Sequence, residues 1–233
     1  DHLIPVCFCS AETGAGIPEL LAVLARLAPN PAEGNPPPFL KGEGDFTPPE
    51  AWVFRTGTNT WHALQAWPPR DTKPTPIYFQ ERGHLSFDPS IGQGQDSFVS
   101  DPKHPVPYTQ AISFDYFQPY MTEDQRFAAT RPDVLVYQTE PLKDDLTLAG
   151  AIQADLWVST TGTDADWIAK VIDVWPDDAK DPENLPEGVH MGGYQQLVRG
   201  DIMRGKYRHS LETPEPFVPG QPTEVTYPLL DCF

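Results

Sequence analysis

Basic residues are scarce: 16 Lys and Arg stand against 33 Asp and Glu in 233 residues, a formal net charge of −17. That balance repels phosphate backbones and anionic lipid headgroups, so nucleic acid and membrane surfaces are poor partner expectations. No run approaches the roughly 18 apolar residues that a membrane-spanning helix needs. Cysteine is nearly absent. Cys7, Cys9 and Cys232 are too few and too scattered for a disulfide framework or a zinc site, and they are expected to be buried or idle thiols.

Motifs that carry chemistry are missing as well. No Gly-x-Ser-x-Gly elbow exposes a serine beside a base and oxyanion donors; the serines stand in contexts such as FDPSIG, VSTTG and RHSLE. His2, His62, His84, His104, His190 and His209 show no H-x-H or H-x-x-x-H spacing that could bring two imidazoles to one metal. The acidic stretch DVWPDDAKDPEN lacks the central Gly and closing Glu of a calcium loop, and reads as a solvated acidic loop. No Gly-rich loop followed by Lys and a helix is present to cradle a phosphate. The sequence therefore offers no catalytic residue, no metal ligand set and no cofactor site.

Proline, by contrast, is abundant, with 28 spread along the chain among the aromatics. Such a distribution favours many turns and few long helices. Beyond residue 44 the chain reads as short strands separated by Pro, Gly and Asp turns: AWVFRTG, PIYFQERGHLSF, DVLVYQT, LAGAIQADLWVST, ADWIAKVIDVWPD, YQQLVRGDIMRGKYR and TEVTYPLLD. In the fourth, Ile152, Ala154, Leu156 and Val158 share one face while Gln153, Asp155 and Trp157 share the other, the signature of a half-buried strand. TTGTD and the next strand follow it, which predicts a hairpin closed by a Gly-bearing loop. The fold class expected is mainly β, an antiparallel sandwich or jelly roll. The opening differs: a short strand over residues 4–8, a Gly turn, and an amphipathic helix carrying Leu20, Leu21, Leu24 and Leu27. One strand and one helix cannot bury a core alone.

The segment ISFDYFQPYMTEDQR crowds Phe114, Tyr116, Phe117 and Tyr120 between two strand signals. Two readings stand. The aromatics close one end of the sandwich core, as buried aromatics commonly do, or they line a ligand pocket from a loop.

Two resemblances divide the chain. IPVCFCSAETGAGIPELLAVLARLAPNP resembles the end of the GTP-binding domain of elongation factor G-type translational GTPases, with Ser10 and Ala11 in the place of the pair that touches the guanine base. The phosphate loop, the magnesium-binding Asp and the guanine-reading N-K-x-D of that family are missing, so the resemblance implies no GTP binding by this piece unaided. From about Leu40 onward, LKGEGDFTPPEAWVFRTGTNTWHALQAWPP, DSFVSDPKHPVPY, RPDVLVYQTEPL, DLTLAGAIQADLWVSTTGTDADWIAKVIDVWPD and GGYQQLVRGDIMRGKYRHSLETPEPFVPG resemble, in order, the C-terminal domain of the CocE/NonD hydrolases. That family comprises cocaine esterase, α-amino-acid ester hydrolases and X-Pro dipeptidyl-peptidases. GGYQQLVRGDIMRGKYR leans toward the amino-acid ester branch.

The second resemblance implies a galactose-binding-like β jelly roll that packs, in the family, on an α/β-hydrolase domain bearing Ser, Asp and His and on a helical cap. Both would be missing partners here, and the family continues with a further pair of strands beyond residue 233. In some relatives the segment matching 112–120 reaches the acyl pocket, which implies that Phe114, Tyr116 and Phe117 line it. The resulting division is a GTPase-like fragment over 1–38, a junction over 39–50 that contains most of NPPPFLKGEGD, and a jelly roll over 51–233. The implied function is that of a non-catalytic, pocket-completing domain of a serine hydrolase acting on small esters or amides, inactive by itself and without a cofactor. A carbohydrate- or peptide-binding jelly roll and a translational GTPase fragment are the alternatives.

Overall fold

The computed structural model describes residues 49–92, 94–111, 118–183 and 185–232, which belong to a compact unit spanning Pro49–Phe233. The strand–helix opening and nearly all of the junction lie outside the described residues. Among the described residues eight strands follow in order: β1 Ala51–Arg55, β2 Thr60–Leu64, β3 Tyr78–Phe79, β4 Leu85–Ser86, β5 Gly150–Val158, β6 Asp166–Val174, β7 Gln195–Arg204 and β8 Thr223–Cys232. Among the described residues, helix is confined to one α-turn, Arg126–Ala129, and to 3-10 turns at Glu81–Gly83, Gln118–Met121 and Gly205–Tyr207. The fold is mainly β, as the proline and strand pattern implies.

Two long antiparallel ladders, β5 with β8 and β6 with β7, form the body. Each turns an apolar face to a shared core of Ala154, Phe217, Val225, Tyr227 and Leu229, flanked by Ile152, Leu156, Val158, Trp167, Ala169, Val171 and Met203. The alternation read in β5 holds: Ile152, Ala154, Leu156 and Val158 point inward, and Trp157 stands 74% exposed on the other face. Opposite it, Val225, Tyr227 and Leu229 are at most 3% exposed. Each aliphatic side chain buried this fully contributes about 1.5–3 kcal/mol. Near the end of β8 the register slips between Ala151 and Gln153, where Leu230 takes φ +68° and bulges outward.

The hairpin expected between β5 and β6 is not formed. The loop between them crosses from one ladder to the other, and its backbone is taken up by a distant segment: Phe217 N–H donates to Thr163 O at 2.8 Å, Gly220 N–H to Thr160 O at 2.8 Å, and Gly205 N–H to Ala165 O at 2.8 Å. Period-2 patterning fixes which face of a strand is buried, and a hairpin and a crossing arch bury the same faces. Two further readings are corrected. PIYFQERGHLSF is not one strand, because Arg82 at φ +61° and Gly83 at φ +74° reverse the chain between β3 and β4. DVLVYQT contributes only an isolated bridge, Gln138 to His84.

β1 and β2, the second of which the strand reading missed, make a separate antiparallel hairpin with Phe54 opposite Trp61 and Trp52 opposite Ala63. Its turn places Gly57 at φ +82° and Asn59 at φ +53°, positions that Gly and Asn tolerate best. The chain leaving the hairpin presses on the sandwich: a Cβ on Gly150 would lie 2.6 Å from Pro68 Cγ.

Candidate functional site

Phe114, Tyr116 and Phe117 fall outside the described residues; the two flanks of their segment do not. The rings of Tyr108 and Tyr120 lie 4.8 Å apart. Thr109, 8% exposed, donates its hydroxyl to Ala111 O at 2.7 Å. Gln110 N–H donates to the Glu123 carboxylate at 3.1 and 3.2 Å. Residues 108–111 and 120–123 are thereby held together as the stem of the aromatic segment.

That stem is pinned to the sandwich by a polar network that begins at Gln125, which is 2% exposed. Its Nε2 donates to Glu123 O at 2.8 Å, its Oε1 accepts from Lys170 Nζ of β6 at 2.7 Å, and its backbone N–H donates to Gln195 O of β7 at 3.0 Å. Burial pushes the Lys170 ammonium below its ordinary pKa, and the charge of Glu123 partly opposes this. Asp124 accepts from Arg126 Nε at 2.6 Å and from the backbone N–H groups of Arg126 at 3.1 Å and Gln195 at 3.3 Å. Burial alone would raise that carboxyl; the Arg126 guanidinium and the two N–H donors outweigh it and hold the pKa below the usual carboxylate value. Tyr194 Oη donates to Thr122 O, and Arg126 Nη1 reaches Gly192 O at 3.4 Å. These groups hold backbone in place rather than poise a nucleophile.

Histidine–carboxylate pairs occur elsewhere: His104 with Asp101 at 2.8 Å, His190 with Asp181 at 2.9 Å and His209 with Glu215 at 2.8 Å. In each, hydrogen bonding to the imidazole is the main cause that holds the acid below its ordinary pKa. Among the described residues no serine hydroxyl bonds to a histidine; Ser86 and Ser210 accept from backbone N–H groups instead. A triad needs nucleophile and base within hydrogen-bond reach. Among the described residues no cluster of His, Cys, Asp and Glu could hold a metal ion. In the acidic stretch, Asp181 is spent on His190 and on the Met191 N–H at 2.7 Å.

Sequence reasoning missed one feature, a shallow groove of about 580 Å³ on the β1–β2 hairpin, lined by Glu50, Trp52, Phe54, Trp61 and Trp67. The Phe54 and Trp61 rings meet at 5.4 Å across the two strands. The signal was legible, since Trp52 and Phe54 alternate with Ala51 and Val53.

The mainly β sandwich agrees with what similarity shows. Residues 45–230 match the family described as the X-Pro dipeptidyl-peptidase C-terminal non-catalytic domain. The chain belongs to that family. It is 30% identical over 202 residues to the cocaine esterase of Rhodococcus sp. (strain MB1 Bresler), covering 82% of this chain and 33% of that protein. An aminopeptidase from a marine sediment Thaumarchaeota archaeon superposes with a TM-score of 0.71 at 41% identity, over 82% of this chain and 31% of that one. An α-amino-acid ester hydrolase superposes with a TM-score of 0.72 at 38% identity, over 83% and 32%. The chain thus spans about a third of the length of each relative. It carries the non-catalytic C-terminal domain of the X-Pro dipeptidyl-peptidase and CocE/NonD hydrolases.

Proposed function

We propose that this domain serves a serine hydrolase that cleaves small esters or amides, of the α-amino-acid ester hydrolase or dipeptidyl-peptidase type, whose α/β-hydrolase and cap domains supply the Ser, Asp and His. The observation that carries the reading is the collinear match over residues 45–230 to proteins about three times as long. The domain, read as a jelly roll, completes the acyl pocket through Phe114, Tyr116 and Phe117. The pinned stem supports this reading, because a loop that shapes a pocket needs a base whose position is fixed. Residues 1–38 are read as a translational GTPase fragment joined at 39–50 to the jelly roll of 51–233; genomic sequence immediately upstream that encodes a hydrolase and cap in frame would sink that division.

The test uses an amino-acid p-nitrophenyl ester. The chain alone gives no burst of nitrophenol. A full-length α-amino-acid ester hydrolase carrying residues 45–230 in place of its own C-terminal third turns the ester over. Replacing Phe114, Tyr116 and Phe117 by Ala in that enzyme lowers kcat/KM by about tenfold or more, the scale on which pocket contacts discriminate acyl groups. A stoichiometric burst from the chain alone overturns the reading.

A further inference from the structure

The connection from β6 to β7, residues 175–194, is tied to itself at its neck. Trp175 N–H donates to Tyr194 O at 2.9 Å, and Gly193 N–H donates to Pro176 O at 3.1 Å. Inside the loop, Asp181 accepts from the Met191 N–H at 2.7 Å and pairs with His190 Nδ1 at 2.9 Å. A long loop whose ends meet and whose own side chains tie it holds its exit in one place. That exit is Gly192-Gly193-Tyr194-Gln195, the start of GGYQQLVRGDIMRGKYR. Both glycines are required by close approach. A Cβ on Gly192 would lie 2.7 Å from Asp177 O. On Gly193, at φ +63°, it would lie 3.1 Å from Asp177 Oδ1 and 3.6 Å from Arg126 Nη1.

This exit is what the stem of the aromatic segment hangs from. Gly192 O accepts from Arg126 Nη1 at 3.4 Å, and Tyr194 Oη donates to Thr122 O. Gln195 uses both backbone groups, donating to Asp124 Oδ1 at 3.3 Å and accepting from Gln125 N–H at 3.0 Å. The other leg of the stem follows, because Glu123 holds Gln110 N–H and the Tyr120 ring holds Tyr108. None of residues 122–126 or 192–195 belongs to the core shared by the ladders, so the latch fixes the stem rather than the sandwich. Thr122 is the first latched residue after the aromatic segment, and Tyr194 grips its backbone carbonyl, so the bond sets where the chain itself runs. A hydrophobic pocket separates acyl groups one methylene apart by about 10–200-fold, and a displacement of about 1 Å can cost about 10²-fold. We propose that Tyr194 is a positioning residue that sets which acyl groups the enzyme accepts, acting through Thr122 O, with Gly192 and Gly193 holding the loop neck that carries it. The inference rests on the hydrolase function proposed above.

Two measurements test it, one of them independent of turnover. In the 233-residue chain, Tyr194→Phe keeps the ring and removes the hydroxyl. Amide exchange at Gln110 and Gln125 should then speed up about threefold to tenfold, the worth of one hydrogen bond, while the β5–β8 amides keep their rates. In the full-length ester hydrolase carrying residues 45–230, kcat/KM is compared for the p-nitrophenyl esters of alanine and phenylalanine. Tyr194→Phe should move the ratio of the two toward one by about threefold or more, and Gly192→Ala should move it the same way. Gly205→Ala, which strains the sandwich away from the latch, should leave the ratio at the wild-type value. An unchanged ratio in Tyr194→Phe overturns the proposal, as does an equal change in Gly205→Ala, which would mark general loosening. A wild-type enzyme that turns over both esters alike overturns it too, and so does unchanged exchange at Gln110 and Gln125. Absence of wild-type turnover sinks the hydrolase reading and the acyl-selecting role with it, while the exchange rates still decide whether Tyr194 holds the stem.

Discussion

Lys170 Nζ on β6 donates to Gln125 Oε1 at 2.7 Å and so ties the stem of the aromatic segment to the sandwich. Truncating Gln125 to Ala removes an acceptor from a partly buried ammonium and a donor from Glu123 O. Losing buried partners of this kind costs about 1–3 kcal/mol, which for a domain of this size is a fall in Tm of roughly 2–12 °C. Lys170→Met removes the other partner, and a double-mutant cycle should show coupling of about 1 kcal/mol. Strict additivity in thermal melts would mean that the pair does not stabilise the stem.

A second prediction concerns Gly205, where the two ladders close over the core. A Cβ there would lie 2.3 Å from Phe217 Cε2 and 3.0 Å from Ala165 O. Phe217 cannot retreat, being 2% exposed and covered by the Arg208 guanidinium at 4.6 Å from its ring. Gly205→Ala should destabilise by about 1–3 kcal/mol through overpacking, read as a lower denaturant midpoint. Phe217→Leu added to it should cost less than the two single changes summed, because the smaller side chain frees the space. A Gly205→Ala midpoint equal to wild type would contradict the close approach.

These two contacts show what a sequence can and cannot carry. The faces of β5 were legible because Ile152, Ala154, Leu156 and Val158 alternate locally, whereas its neighbour was not, since β8 lies across a loop-rich stretch and leaves no local mark. Arg82 reversed a strand reading because a non-Gly residue at positive φ has no reliable signal in composition. The family of residues 45–230 was legible from collinear blocks. The stem was not: Lys170 is 45 residues from Gln125, and Tyr194 is 72 from Thr122. Phe114, Tyr116 and Phe117 remain proposals drawn from resemblance.

At alkaline pH the core tyrosine should control stability. Tyr227 is 2% exposed between the ladders, and burial pushes its hydroxyl from the ordinary 10.0 up to about 12. The folded pKa is thus raised above the unfolded one, so the contribution is complete below pH 10 and is lost as pH rises through the folded value. Burial and the Asp96 carboxylate, which accepts its hydrogen bond at 2.7 Å, raise Tyr137 to about 12 as well. Urea midpoints measured from pH 9 to 11.5, a range of roughly this span, should fall with pH in the wild type and fall less in Tyr227→Phe. An unchanged slope in that variant would show that the hydroxyl titrates outside the core.

At acid pH the corresponding test falls on the stem. Asp124 has its folded pKa held below the ordinary 3.8, so its contribution is present above the unfolded value and is lost as pH falls through the folded one. Asp124→Asn keeps the shape and the Oδ1 that accepts from the backbone N–H groups of Arg126 and Gln195, now without its charge, but puts an amide NH2 in place of Oδ2 and so gives up the charge-assisted bond from Arg126 Nε. The variant should be less stable than wild type at neutral pH, and the difference should shrink below about pH 4 as the wild-type carboxyl is protonated. Amide exchange separates this local effect from a global one. The Gln125 N–H, bonded to Gln195 O at 3.0 Å, and the Gln195 N–H, which loses its charged acceptor, should exchange faster in Asp124→Asn. Amides in the β5–β8 ladder should keep their protection, because Asp124 contacts β7 and the stem but not that ladder. Uniform acceleration across both ladders would mean that Asp124 supports the whole fold, and the stem would then have no separate anchor.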